Sequence, residues 1–232
     1  MGYSIAIDGP AGAGKSTIAK MVAKRKGFIY IDTGAMYRAM ALYLLRRGIG
    51  EGEQEKISEK CKEADITIRH ENGEQIILLN GENVSPLIRT EEVGNMASAS
   101  SVNKDVREKL VELQRRLADS ADVVMDGRDI GTIVLPGADV KVYLTADSSV
   151  RAKRRFDELT AKGEHCDLAK IERDIVERDK RDMSREISPL RQAADAVLVD
   201  SSSMTIEEVA KAILELCEPF SFHGKDLVTL QS

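Results

Sequence analysis

The sequence predicts an α/β fold: a five-stranded parallel sheet flanked by helices, carrying a small antiparallel insert and a helical lid. Three observations lead there. The segment Gly9-Pro10-Ala11-Gly12-Ala13-Gly14-Lys15-Ser16-Thr17 has the form G-x-x-x-x-G-K-S and joins an apolar run, Tyr3 to Ile7, to the helical pattern Ile18 to Ala23. Short apolar runs then alternate with helix-period stretches, the pattern of parallel strands joined by crossover helices. Between residues 52 and 92 the alternation gives way to β-type runs around turn residues, which marks an insert.

The glycine loop comes first because its backbone carries chemistry. Glycines let the chain turn tightly and aim several N–H groups into one concave ring, and the helix that follows adds its positive dipole end. Such a ring holds phosphate. Lys15 is placed to reach the β- and γ-phosphates of a nucleoside triphosphate, the Ser16 hydroxyl to complete a Mg²⁺ shell, and Thr17 to extend the helix beside the α-phosphate.

Phe28 to Ile31 reads as the second strand, ending at Asp32-Thr33-Gly34, with Thr33 the expected N-cap of a helix carrying Met36, Tyr37, Met40, Ala41, Leu44 and Leu45. Arg38 lies one turn into that helix, within reach of the C-terminal strand ends where open α/β sheets place ligands. In the insert, Ile66-Thr67-Ile68 and Ile76-Ile77-Leu78-Leu79 flank Asn72-Gly73, and Asn80-Gly81 is a second turn; a hinged lobe and a passive elaboration both fit. Helices follow at Glu91 to Ser100 and Lys104 to Ala118, the second with Val106, Leu110, Leu113 and Leu117 as its buried stripe. Periodicity alone places Ser98 and Arg107 toward solvent.

Ala121 to Asp126 is an apolar run ending in an acid, the pattern of a strand beside a phosphate loop whose carboxylate lies near Mg²⁺. It continues Gly127-Arg128-Asp129-Ile130-Gly131, two carboxylates enclosing an arginine at a strand end. After a strand at Val140 to Leu144, a helix from near Ser148 carries Arg151, Lys153, Arg154 and Arg155. A polar link, Lys162 to Asp167, leads to the helix Leu168 to Met183. Helical spacing puts Arg178, Asp182 and Arg185 on one face. Two basic helices on a flexible link suit a lid, about residues 151–168, that brings positive charge over phosphates and excludes water. Ala196 to Asp200 is the fifth strand, Thr205 to Leu216 the last helix, and residues 219–232 a tail without pattern.

Composition narrows the classes. With 232 residues and 42% hydrophobic content the chain can bury one large core, residues 1–218 forming a single domain. A net charge of −5 excludes general attraction to nucleic acid, so anion sites must be local clusters. Cys61, Cys166 and Cys217 are odd in number and unevenly spaced, which fits a reducing compartment, and His165-Cys166 lacks the second pair that zinc needs. The N-terminus enters a strand within three residues and no run has membrane-spanning length, so a cytoplasmic protein without membrane contact is expected. A phosphate loop with Mg²⁺ leaves kinases, GTPases, ATP-driven machines and nucleotide-binding modules open. The absence of an N-K-x-D box weighs against a GTPase, and arginines from several elements suit transfer between two phosphates.

Taken together, Ile5 to Pro10, Asp32 to Arg38, Asp126 to Thr132, Glu177-Arg178-Asp179 and Ser188-Pro189-Leu190 resemble the bacterial-type cytidylate kinases of the nucleoside monophosphate kinase group, over nearly the whole chain. The resemblance implies a P-loop kinase core, with ATP and Mg²⁺ at Gly9 to Thr17 and Asp126, CMP or dCMP as acceptor, and insert 52–92 as a monophosphate-binding lobe. It further implies that Thr33, Arg38, Arg128 and Arg185 hold the CMP phosphate and that Arg178 and Asp182 engage the ribose. Ser98, Arg107 and Asp129 would read cytosine, while Lys15, Arg128, Arg154, Arg155 and Arg185 would serve transfer. Thr33 stands where the family often has serine. A monomer is expected. A kinase of another small acceptor, such as shikimate, and a regulatory module that binds ATP without turnover remain the alternatives.

Overall fold

A computed structural model describes residues 2–71 and 73–218; the sequence-based expectations for Asn72 and for the tail, 219–232, lie outside the described residues. The first half of the chain contains β1 (Ser4–Asp8), α1 (Lys15–Lys26), β2 (Ile29–Asp32), α2 (Thr33–Leu45) and α3 (Gln54–Lys60), then β3 (Ile66–Glu71), β4 (Glu74–Leu79) and β5 (Glu82–Asn83). The second half contains α4 (Glu91–Ser100), α5 (Lys104–Ser120), β6 (Val123–Gly127), β7 (Val140–Thr145), α6 (Ser148–Ala161), α7 (Leu168–Ser184), β8 (Val197–Asp200) and α8 (Ile206–Leu216).

Five strands form one parallel sheet in the order β2-β6-β1-β7-β8, with β3-β4-β5 as a separate antiparallel sheet. The strand that carries Asp126 therefore lies directly beside the strand that feeds the glycine loop. β1 is buried from end to end, and its side chains alternate between two cores. Ile5 and Ile7 pack with Ile18 and Val22 of α1 and Val209 and Ile213 of α8. Ala6 faces Met36 and Met40 of α2 and Leu110 of α5. This two-sided coverage explains why the strands read as continuous apolar runs.

The insert's Ile57, Ile66, Ile77 and Leu79 join the α2 core without a break. Its hairpin also finishes the border of the parallel sheet. Gln75 accepts from the Asp32 N–H at 2.8 Å and donates to the Asp32 carbonyl at 3.2 Å, and His70 Nε2 lies 3.1 Å from the Tyr30 carbonyl. Side chains thus occupy backbone groups that an edge strand would leave open. The Asn80-Gly81 turn has φ of 50° and 82° at its two central residues, the geometry that joins β4 to β5.

Three expectations are corrected. Asp32, not Thr33, caps α2: its Oδ1 accepts from the Ala35 N–H at 2.9 Å, and Thr33 is already helical. The buried stripe of α5 is rotated toward Val111, Gln114 and Ala118: Val111 and Ala118 join the apolar core, and Leu113 and Leu117 are half-buried against it. Arg185 is not on the face of α7; the helix ends at Ser184, and Arg185 has extended backbone at φ −66°, ψ 141°.

Candidate active site

The loop between β1 and α1 is shaped by close contact. At Gly9, φ is 152° and an added Cβ would lie 1.9 Å from the Leu144 carbonyl oxygen of β7, so no side chain fits there. Gly14 is the N-cap of α1; no side chain caps this helix, and no acid sits in its first turn. Its positive end is left for an anion. Lys15 is 5% exposed, with Nζ donating to the Pro10 carbonyl at 2.7 Å. Burial pushes its pKa well down, helped by Arg128 and opposed by Asp126 and Asp8.

Asp126, at the end of β6, accepts from Ser16 Oγ at 3.0 Å and from the Tyr30 hydroxyl at 2.8 Å. Burial, then Asp32, raises its pKa. A cation beside it would favour the ionised form, and a hydroxyl next to a carboxylate is the oxygen-only donor set that Mg²⁺ prefers. The described residues contain no group of three or more His, Cys, Asp or Glu placed to hold a metal, so an ion here would depend on Ser16, Asp126 and phosphate oxygens. Asp8, beside it in the sheet, accepts from the Ile130 and Gly131 N–H groups at 2.8 and 2.7 Å. It thereby fixes the turn that carries Arg128 and Asp129. Burial raises the Asp8 pKa to about 6 despite those two bonds.

The opposite wall is built from α2, α4, α5 and the end of α7. Thr33 donates its hydroxyl to the Asp126 carbonyl at 2.7 Å, so that proton is committed within the protein. Arg38 donates to the Ile88 and Thr90 carbonyls at 3.0 and 3.3 Å. Its guanidinium lies over Gly94, where an added Cβ would come within 3.1 Å of both terminal nitrogens. Arg107 is 4% exposed and forms a buried ion pair with Asp129, correcting its expected solvent-facing position. The helix amphipathicity was misleading because this charge is neutralised by a partner from another element. Ser98 is half-buried and lines the same wall.

Arg128 donates to Asp182 at 2.9 Å, and Arg185 lies 4.0 Å from the other carboxylate oxygen. Burial alone would raise the Asp182 pKa, but Arg128, Arg178 and Arg185 together hold it below the usual carboxylate range. Burial, with Arg128 next, lowers that of Arg178 to about 10. On α6, Arg154 donates to the Ser201 carbonyl at 2.7 Å and Arg155 pairs with Glu158 at 2.8 Å. All these groups open onto one cleft of about 680 Å³, lined by Lys15 and nine arginines against five carboxylates. The chain is acidic overall and the cleft is basic. Buried Arg107 Nε, Arg178 Nε and one terminal nitrogen of Arg185 have no acceptor among the described residues.

The family model described as cytidylate kinase matches residues 5–219. The chain belongs to the cytidylate kinase family. It is 53% identical over 213 residues to a cytidylate kinase of Caldicellulosiruptor saccharolyticus, covering 92% of this chain and 94% of the relative. It is 47% identical over 215 residues to that of Bacillus subtilis, covering 93% and 96%. Among solved structures, an uncharacterized protein from Eubacterium ventriosum aligns with TM-score 0.50 at 12% identity, over 93% of this chain and 97% of that one, a likeness of fold alone.

Within this cytidylate kinase scaffold, several cleft residues escaped the sequence reading. Arg89 pairs with Asp32 at 2.8 Å, and Arg151, expected only as a cation of the lid helix, is buried against the loop. Ser201, Met204 and Ile206 supply a wall from the β8–α8 connection. No motif marks them; the alternation of strands and helices was the available signal, since it sends each strand's following loop to the same end of the sheet.

Proposed function

We propose that this chain transfers the γ-phosphoryl group of ATP to CMP, with dCMP as a second acceptor, giving ADP and CDP or dCDP. The acceptor is a phosphate oxygen that is already anionic, so no general base is needed, and catalysis reduces to alignment and charge neutralisation. The loop Gly9 to Thr17 binds the triphosphate. Lys15, Arg128 and Arg185 neutralise charge on the migrating group, and Arg154 and Arg155 join them when lid closure draws them from Ser201 and Glu158. Mg²⁺, held by Ser16, Asp126 and the phosphates, would supply Lewis-acid stabilisation of the same charge.

Arg38 anchors the CMP phosphate through its charge, and Thr33 lies at the α2 terminus where its backbone N–H serves the same anion. Arg178 and Asp182 engage the ribose. Asp129 accepts from the cytosine N4 amino group, while Arg107 and Ser98 donate to O2 and N3. Uracil turns an acceptor toward Asp129, a mismatch of about 1–3 kcal/mol when buried. The chain acts as a cytoplasmic monomer in this reading, with insert 52–92 forming the acceptor side and residues 151–168 the lid.

One observation carries the proposal: Arg107, Arg178 and Arg185, each with a buried guanidinium donor that finds no acceptor among the described residues, line the cleft that also holds the phosphate-loop lysine. Leaving such donors unpaired is costly, so the cleft is built for an acceptor-rich ligand beside ATP. The test is ADP release at saturating MgATP with CMP, dCMP, UMP, AMP and shikimate. CMP and dCMP should stimulate it most. Turnover with shikimate alone, or ATP binding with no CMP-stimulated ADP, would overturn the proposal.

A further inference from the structure

Between Gly9 and Lys15 the phosphate loop offers only Pro10, Ala11, Gly12, Ala13 and Gly14, so of its own side chains it is Lys15, on the Pro10 carbonyl, that holds it. The remaining groups that hold it come from α6 and α7. Arg151, in the first turn of α6, donates through Nε to the Ala146 carbonyl at 2.8 Å and through a terminal nitrogen to the Ala11 carbonyl at 2.8 Å. The same nitrogen lies 2.7 Å from Asp179 of α7, and the two side chains are 7% and 11% exposed. The other oxygen of Asp179 accepts from the Ala11 N–H, at a long 3.4 Å.

We propose that Arg151 and Asp179 are positioning residues that hold the phosphate loop in its ATP-binding shape by gripping both backbone groups of Ala11. The peptide unit is planar and trans, so its carbonyl and N–H point in opposite directions. Fixing the Ala11 carbonyl on Arg151 fixes the Gly12 N–H away from α6. Likewise, the peptide before Ala11 is held at both ends, with the Pro10 carbonyl on Lys15 Nζ and the Ala11 N–H on Asp179. Two successive peptide planes are therefore oriented by charged side chains. Asp179 acts chiefly through Arg151, since its bond to the loop is long while its ion pair is short and buried.

This inference rests on the reading that residues 9–17 hold the ATP phosphates. It requires neither residue to touch the reacting atoms. A lysine at position 151 keeps the charge and part of the packing, but a single ammonium cannot reproduce the planar fork that reaches Ala146, Ala11 and Asp179 together.

The experiment pairs calorimetric titration of a non-hydrolysable ATP analogue with steady-state kinetics, for the wild type, Arg151→Lys and Asp179→Asn. Both variants should bind the analogue about tenfold or more weakly, with KM for ATP rising in step and KM for CMP within about twofold. Analogue affinity within about twofold of wild type in both variants would overturn the proposal, as would a parallel rise of both KM values with a large drop in Tm. If Arg151→Lys does not fold, the isosteric Asp179→Asn decides alone. A wild type that binds the analogue but does not turn over CMP would refute the activity reading, while the titrations would still judge the grip on Ala11.

Discussion

Lys15 is a buried cation whose neighbours pull in both directions, Arg128 against its charge and Asp126 and Asp8 for it. An incoming triphosphate tips that balance toward the ammonium, so the group is poised to respond to the ligand it serves. Lys15→Ala should lower kcat by about a thousandfold or more with little change in KM for CMP; near-normal turnover would contradict its role in transfer. Asp129 has two partners to satisfy, Arg107 within the protein and, in the proposed function, the cytosine amino group. Asp129→Asn keeps an acceptor for Arg107 and offers an amide donor to uracil, so the ratio of kcat/KM for CMP over UMP should fall about tenfold or more. An unchanged ratio would remove Asp129 from base reading. At this scale the motifs made Lys15, Ser16, Asp126 and Asp129 legible in the sequence. Periodicity set Arg107 toward solvent and only the family resemblance brought it to the site, while Arg151 read as one more cation of the lid, because a buried arginine is indistinguishable from a solvated one until its partner, here Asp129 or Asp179, is known.

The elements were legible wherever apolar periodicity was strong. α4 and the strands follow the expected runs, and α8 begins at Ile206, just after its N-cap Thr205, whose side chain and that of Glu208 form a reciprocal cap. The end of α7 was legible to within one residue, Met183 expected against Ser184 observed, but the departure of Arg185 from the helical path was not: its backbone is extended and its Nε donates to the Ser188 carbonyl. The close pairing of α2 with α4 was likewise invisible. It depends on Gly94, whose missing side chain makes room for Arg38. Gly94→Leu should displace that guanidinium and raise KM for CMP about tenfold while leaving KM for ATP unchanged, as steady-state kinetics would show. A rise in both would mean that the helix pair as a whole had shifted.

Across the whole molecule, Asp8 links the phosphate-loop strand to the turn bearing Arg128 and Asp129, at an electrostatic cost. Its pKa is raised from 3.8 to about 6, so the folded chain binds the extra proton over that interval. The stability this confers is complete below pH 4 and is lost as pH rises through about 6. Wild type should therefore lose stability relative to Asp8→Asn from pH 4 to pH 6 in thermal melts; a constant difference would contradict the raised pKa. The order of strands, with β6 between β1 and β2, could be anticipated only from the pairing of a phosphate loop with an acidic strand end, and the registers not at all. The insert announced itself through its turns, yet its turns say nothing of where its apolar side chains go. They go into the interior shared with Met36, Met40 and Met125. A chimera that received residues 52–92 alone would inherit a fragment with one wall missing, and a truncation that removed them would strip α2 bare. Anyone recombining this insert with another scaffold must move α2 and α4 along with it.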